Sequence, residues 1–97
     1  MIIIHAFFDV KASQRAAFLS AVKPLLAGSK AEAGNISYDL VEKVGADNQF
    51  MMVERWRDQA AVDSHNQTDH FTHFGAIAGV FFNQPTQVTL FEAREKQ

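Results

Sequence analysis

Asn35-Ile36-Ser37-Tyr38-Asp39-Leu40-Val41-Glu42-Lys43-Val44, Gly45-Ala46-Asp47-Asn48 and Gln49-Phe50-Met51-Met52-Val53-Glu54-Arg55-Trp56 follow one another in this chain, and they decide its fold. Residues 35–44 alternate, with Ile36, Tyr38 and Leu40 on one side and Ser37, Asp39 and Val41 on the other. A period of two belongs to a strand. Gly45 to Asn48 have the length and the residue types of a hairpin turn. Residues 49–56 return as a second strand, with Phe50, Met52, Glu54 and Trp56 on one face.

Outward from this hairpin, residues 2–9 read as another strand, apolar in both alternating sets: Ile2, Ile4, Ala6, Phe8 and Ile3, Phe7. A strand apolar on both sides is covered on both sides. Ser13 suits the N-cap of a helix over about 13–27, whose Phe18, Val22, Leu25 and Leu26 fall on one face. Pro24 within that pattern predicts a kink or a lost backbone bond. Gly28 and Gly34 read as loop residues. After Trp56, Asp58 caps a helical stretch over 58–66 that turns Ala61, Val62 and His65 inward. Thr68 caps a further helix running to about residue 82, Pro85 ends it, and Thr86–Ala93 forms the last strand.

The order β-α-β-β-α-β is the ferredoxin-like split βαβ arrangement, an α+β fold with a four-stranded antiparallel sheet and helices on one face. The bare sheet face needs a cover, and the simplest is the same face of a second copy in a two-fold homodimer.

Ninety-seven residues make a single domain, 1–97. A hydrophobic share of 47% with nine Phe is rich for a lone domain and agrees with burial against another copy. The net charge of −2, with no basic block, argues against nucleic acid or an anionic membrane as partner. No Cys is present, which removes thiolate chemistry and Cys-bound zinc. Met1-Ile2-Ile3-Ile4 has no basic lead-in and is too short for a signal peptide or a membrane span, so a cytoplasmic location is expected.

Three of the four His lie in His65-Asn66-Gln67-Thr68-Asp69-His70-Phe71-Thr72-His73-Phe74. Histidine changes charge most readily near neutral pH, so acid–base chemistry is expected here. On the helix from Thr68, His70 shares the inward arc with Phe71, Phe74, Ile77, Ala78 and Phe81, whereas His73 lies at its solvent edge. His65 is either a structural tie to nearby carbonyls or a catalytic group. Glu54, a carboxylate on an apolar face, either pairs with an Arg such as Arg15 or handles protons at a pocket edge. The spacing His65-x4-His70-x2-His73 matches no standard zinc pattern, and no Gly-rich phosphate loop is present. No metal and no cofactor are therefore expected.

Glu32-Ala33-Gly34-Asn35-Ile36-Ser37-Tyr38-Asp39, followed by Phe50, Glu54-Arg55-Trp56, His65, Thr68 and His70-Phe71, resembles the antibiotic biosynthesis monooxygenase domain family. The resemblance implies a ferredoxin-like fold that pairs into a dimeric α+β barrel. It brings in two activities, a cofactor-independent quinol monooxygenase and an isomerase of a phosphorylated autoinducer. Gly34-Asn35 and Asp39 resemble the isomerase, and Trp56 the quinol oxidisers. Haem-degrading relatives use an Asn and a haem-ligating His where this chain carries Phe7 and Gly75, which speaks against haem.

For a quinol or anthrone oxidised by O2, Phe7, Tyr38, Trp56, Phe71 and Phe74 are expected to line the slot, with Glu54 at its edge. His65 or His70 is the expected general base, and Asn35 or the Tyr38 hydroxyl the group that binds the oxyanion. The isomerase reading needs cations at the mouth, for which Lys30, Lys43 and Arg57 are available. A third reading is a dimeric ligand-binding domain without chemistry.

Overall fold

A computed structural model describes residues 1–97. The elements are β1 (Ile2–Asp9), α1 (Arg15–Lys30), β2 (Asn35–Glu42), β3 (Gln49–Trp56), α2 (Gln59–His65), α3 (Asp69–Ile77) and β4 (Gln87–Glu92), with 3-10 turns at Ala12–Gln14 and Ala78–Phe81. The strands form one antiparallel sheet in the order β2-β3-β1-β4, the ferredoxin-like arrangement.

The hairpin closes as its residues dictate. Gly45 has φ 86° and Asn48 φ 67°, left-handed conformations that Gly and Asn tolerate best. Arg15 holds the two ends of the turn together: its guanidinium donates to Oε1 of Glu42 at 2.8 Å and to Oδ1 of Asn48 at 3.0 Å. Arg15 is therefore spent on Glu42 and does not reach Glu54.

Register sorts the sheet into two faces. Ile2, Ile4, Ala6 and Phe8 sit opposite Trp56, Glu54, Met52 and Phe50, and all eight are buried beneath the helices. Phe18 of α1 meets Phe8, Phe50, Phe74 and Phe81 at ring distances of 5.1–6.4 Å, which closes one end of the core. The other face presents Ile3, His5 and Phe7 beside Met51, Val53 and Phe91.

Three local expectations are corrected, and the one at Pro24 stands. Ser13 lies in the 3-10 turn, and α1 begins at Arg15 behind Gln14, whose side chain makes no capping bond. Helix α1 runs through Pro24 with the lost backbone bond expected there, since Pro24 has no N–H to give the Ser20 carbonyl and both residues are on the exposed side. Gly28 is inside α1, not in a loop. The last helix stops at Ile77 and tightens into a 3-10 turn over Ala78–Phe81.

Candidate active site

Between the sheet and α3 lies a cavity of about 910 Å³. Ile4, Ala6 and Glu54 reach it from the sheet, and Leu25, Val62, Phe71 and Phe74 from the helices. Residues 83–86, Val88 and Leu90 also line it. Asp9 holds that rim, accepting from the side-chain amides of Asn83 at 3.1 Å and Gln84 at 3.0 Å.

His65 is placed by two helix caps. Oδ1 of Asp58 accepts from the Ala61 N–H at 2.9 Å and starts α2, which turns Ala61, Val62 and His65 inward. The Thr68 hydroxyl caps α3 through the Phe71 N–H and donates to the His65 carbonyl at 2.7 Å. The backbone is therefore tied on both sides of the imidazole. The ring itself packs against Trp56 at 4.5 Å and Phe71 at 4.9 Å.

Nδ1 of His65 lies 2.7 Å from Oε2 of Glu32, and Nε2 of His70 lies 2.8 Å from the same oxygen. His65 is 1% exposed and lines the cavity, yet its Nε2 has no partner. A buried nitrogen left so costs about 1–3 kcal/mol and calls for a reason. Burial lowers the His65 pKa against the opposing pull of Glu32, so the ring is neutral at neutral pH and keeps a basic nitrogen.

Glu54 is 5% exposed, and its Oε1 accepts from the Trp56 indole N–H at 2.9 Å. Burial outweighs that bond and pushes the carboxyl up to about 7. Burial, aided by the charge of Glu54, also raises the Tyr38 pKa, so its hydroxyl remains a donor.

His65, Tyr38, Glu54, Phe71 and Phe74 thus meet at the cavity, and four other expected site residues do not line it. Phe7 lies on the opposite sheet face. The Asn35 side-chain amide donates to the carbonyls of Ser37 at 3.0 Å and Arg55 at 3.3 Å, which ties the irregular start of β2. Trp56 is fully buried, its ring packed on His65 and its indole N–H bonded to Glu54. His70 is turned toward Glu32 and α1, while His73 is exposed as expected.

Glu32 escaped the reading of the sequence as a functional side chain. It sits in the turn after α1, 33 residues from His65 and 38 from His70, where no helix or strand period marks it. Glu32, His65 and His70 are also the residues with donors suited to a metal, their ligand atoms lying within 4.8 Å of one another. In this arrangement both rings contact one carboxylate oxygen at hydrogen-bond lengths.

Comparison with known proteins agrees with this architecture. Residues 1–76 match the family model described as antibiotic biosynthesis monooxygenase. YcnE of Bacillus subtilis (strain 168), a candidate monooxygenase by name, is 43% identical over 95 residues, covering 98% of this chain and all of YcnE. The structure of Rv0793 from Mycobacterium tuberculosis superposes with a TM-score of 0.91 at 25% identity, covering 98% of this chain and 96% of that one. The structure of PA3566 from Pseudomonas aeruginosa gives 0.86 at 26% identity, with 97% and 94% covered. A sheet face matched to its helices, a cavity between them and a match over most of the sequence lead to one conclusion: the chain belongs to the antibiotic biosynthesis monooxygenase family.

Proposed function

We propose that this protein is a cofactor-independent monooxygenase that oxidises a small aromatic quinol- or anthrone-type substrate with O2. The observation that carries the reading is the unpartnered Nε2 of His65, buried at the wall of a mostly apolar cavity. A flat aromatic substrate would place its acidic O–H or C–H against that nitrogen. His65 takes the proton, the Tyr38 hydroxyl steadies the oxyanion, and the electron-rich carbanion form reacts with O2. Apolar walls keep water from the intermediate. For an anthrone the balance closes without a reductant: the ring CH2 becomes C=O with one oxygen atom, and the other leaves as water. Glu54, with its carboxyl near pH 7, is suited to return a proton to the departing oxygen.

The lining also weighs between substrates. It contains no Lys or Arg, and Lys30, Lys43 and Arg57 are all absent from it. A phosphorylated sugar would enter with its charge unmatched, whereas a neutral ring would not. The bare sheet face, with Ile3, Phe7 and Phe91, supports a homodimer built on it.

The test is O2 uptake by chelator-treated, flavin-free protein on a panel of quinols and anthrones, against each substrate's own autoxidation. Enzyme-dependent uptake that disappears in His65→Gln, with folding retained, is expected. Absence of uptake across the panel overturns the oxidative reading and leaves the isomerase and the ligand-binding domain.

A further inference from the structure

A carboxylate has no hydrogen to donate, so a ring nitrogen hydrogen-bonded to it must carry the proton itself. Glu32 meets Nδ1 of His65 and Nε2 of His70 on one oxygen, at 2.7 and 2.8 Å. Both facing nitrogens are therefore donors. For His65 this puts the proton on Nδ1 and leaves a lone pair on Nε2, the atom without a partner. With the opposite tautomer, Nε2 would carry the hydrogen and the ring would offer no base there.

We propose that Glu32 is the positioning residue of this site: it accepts from Nδ1 of His65 and so keeps the proton off Nε2, while His70 holds the carboxylate in place as a second donor. Glu32 does not line the cavity and so acts on a bound molecule only through His65. The seat of His70 is built for the task. A Cβ at residue 28 would stand 2.5 Å from Nδ1 of His70, so Gly28 is what lets the ring lie against α1 within reach of Glu32. This role rests on the proposed function only for its catalytic consequence, because the tautomer belongs to the resting protein.

The experiment is 15N NMR of the histidine rings at neutral pH, without substrate, in the full-length protein. In the wild type, His65 is expected to show a protonated Nδ1 and a bare Nε2. Glu32→Gln, whose side-chain oxygen still accepts, should keep that pattern, and Glu32→Ala should move the proton toward Nε2. A protonated Nε2 in the wild type overturns the proposal, as does an unchanged tautomer in folded Glu32→Ala. If Glu32→Ala does not fold, the wild-type and Glu32→Gln spectra decide. On a substrate that is turned over, Glu32→Ala should lower kcat at least tenfold with KM little changed, and Glu32→Gln should recover part of the loss. The expected tautomer with no turnover on any substrate would leave Glu32 in its role and remove the proposed function instead.

Discussion

The indole N–H of Trp56 donates to Oε1 of Glu54 at 2.9 Å, joining two side chains two residues apart on the buried face of β3. The bond has consequences on both sides. It satisfies an indole donor that is fully buried, and it gives a buried carboxylate a partner that carries no charge. A neutral partner offsets only part of the cost of burial, which is why Glu54 rises from the ordinary 4.5 to about 7.

A raised carboxyl favours the protonated fold. Its contribution to stability is fully present below the unfolded value of 4.5 and is lost as pH rises through about 7. Glu54→Gln keeps the shape and an acceptor for the indole without the titration. Its stability relative to wild type should therefore grow between pH 5 and 8, toward a limit on the order of 3 kcal/mol. Urea unfolding of both proteins across that range checks the expectation, and a gap independent of pH would refute it. Trp56→Phe should shift the Glu54 carboxyl higher still, read from its 13C titration, because the bond that lowers it is gone.

Two glycines inside helices should answer the same substitution with opposite signs. Gly75 of α3 has nothing within 4 Å of where a Cβ would go, so Gly75→Ala should stabilise by up to about 1 kcal/mol through helix propensity. At Gly28 the new methyl meets the His70 ring. Overpacking of that kind costs about 1–3 kcal/mol and outweighs the propensity gain. Thermal melts of the two variants decide it, and a higher Tm for Gly28→Ala would mean that His70 moves aside freely.

Much of this arrangement was legible in the chain. The hairpin, the capping roles of Asp58 and Thr68 and the inward turn of His65 all follow from local spacing, and the structure retains them. Parity also held the answer for Phe7, since it alternates with Ala6 and Phe8 and so faces away from the helices. Reading Phe7 into the slot set aromatic character above strand period. Asn35 was misplaced for a different reason: its amide serves a register shift between Asn35 and Ser37, and nothing in the sequence announces that irregularity. Glu32 is the instructive omission. Its partners are brought to it by the packing of α2 and α3 across the turn after α1, a long-range event that no window of residues records.

If a second copy covers the bare sheet face, a charge at its centre should prevent that. Val53 lies on β3 between His5 of β1 and Asp39 of β2, away from the cavity. Wild-type protein should run as a dimer in light-scattering chromatography, and Val53→Arg as a monomer with its helical circular dichroism intact. A monomeric wild type at micromolar concentration would remove the homodimer from the proposal.

The cavity rim should loosen without harm to the base. Asp9 accepts from the side chains of Asn83 and Gln84 and, through its carbonyl, from the Asn83 N–H at 2.8 Å. Asp9→Ala removes the carboxylate and leaves the backbone bond. The two side-chain bonds are exposed, so their loss should cost no more than about 1 kcal/mol. The Asn83 amide, bonded to the Asp9 carbonyl, should exchange faster while α2 and its His65 remain protected. On a turned-over substrate, KM should rise severalfold with kcat nearly unchanged, because residues 83–86 shape the wall and His65 moves the proton. A fall in kcat with KM unchanged would instead mean that the rim takes part in the chemical step.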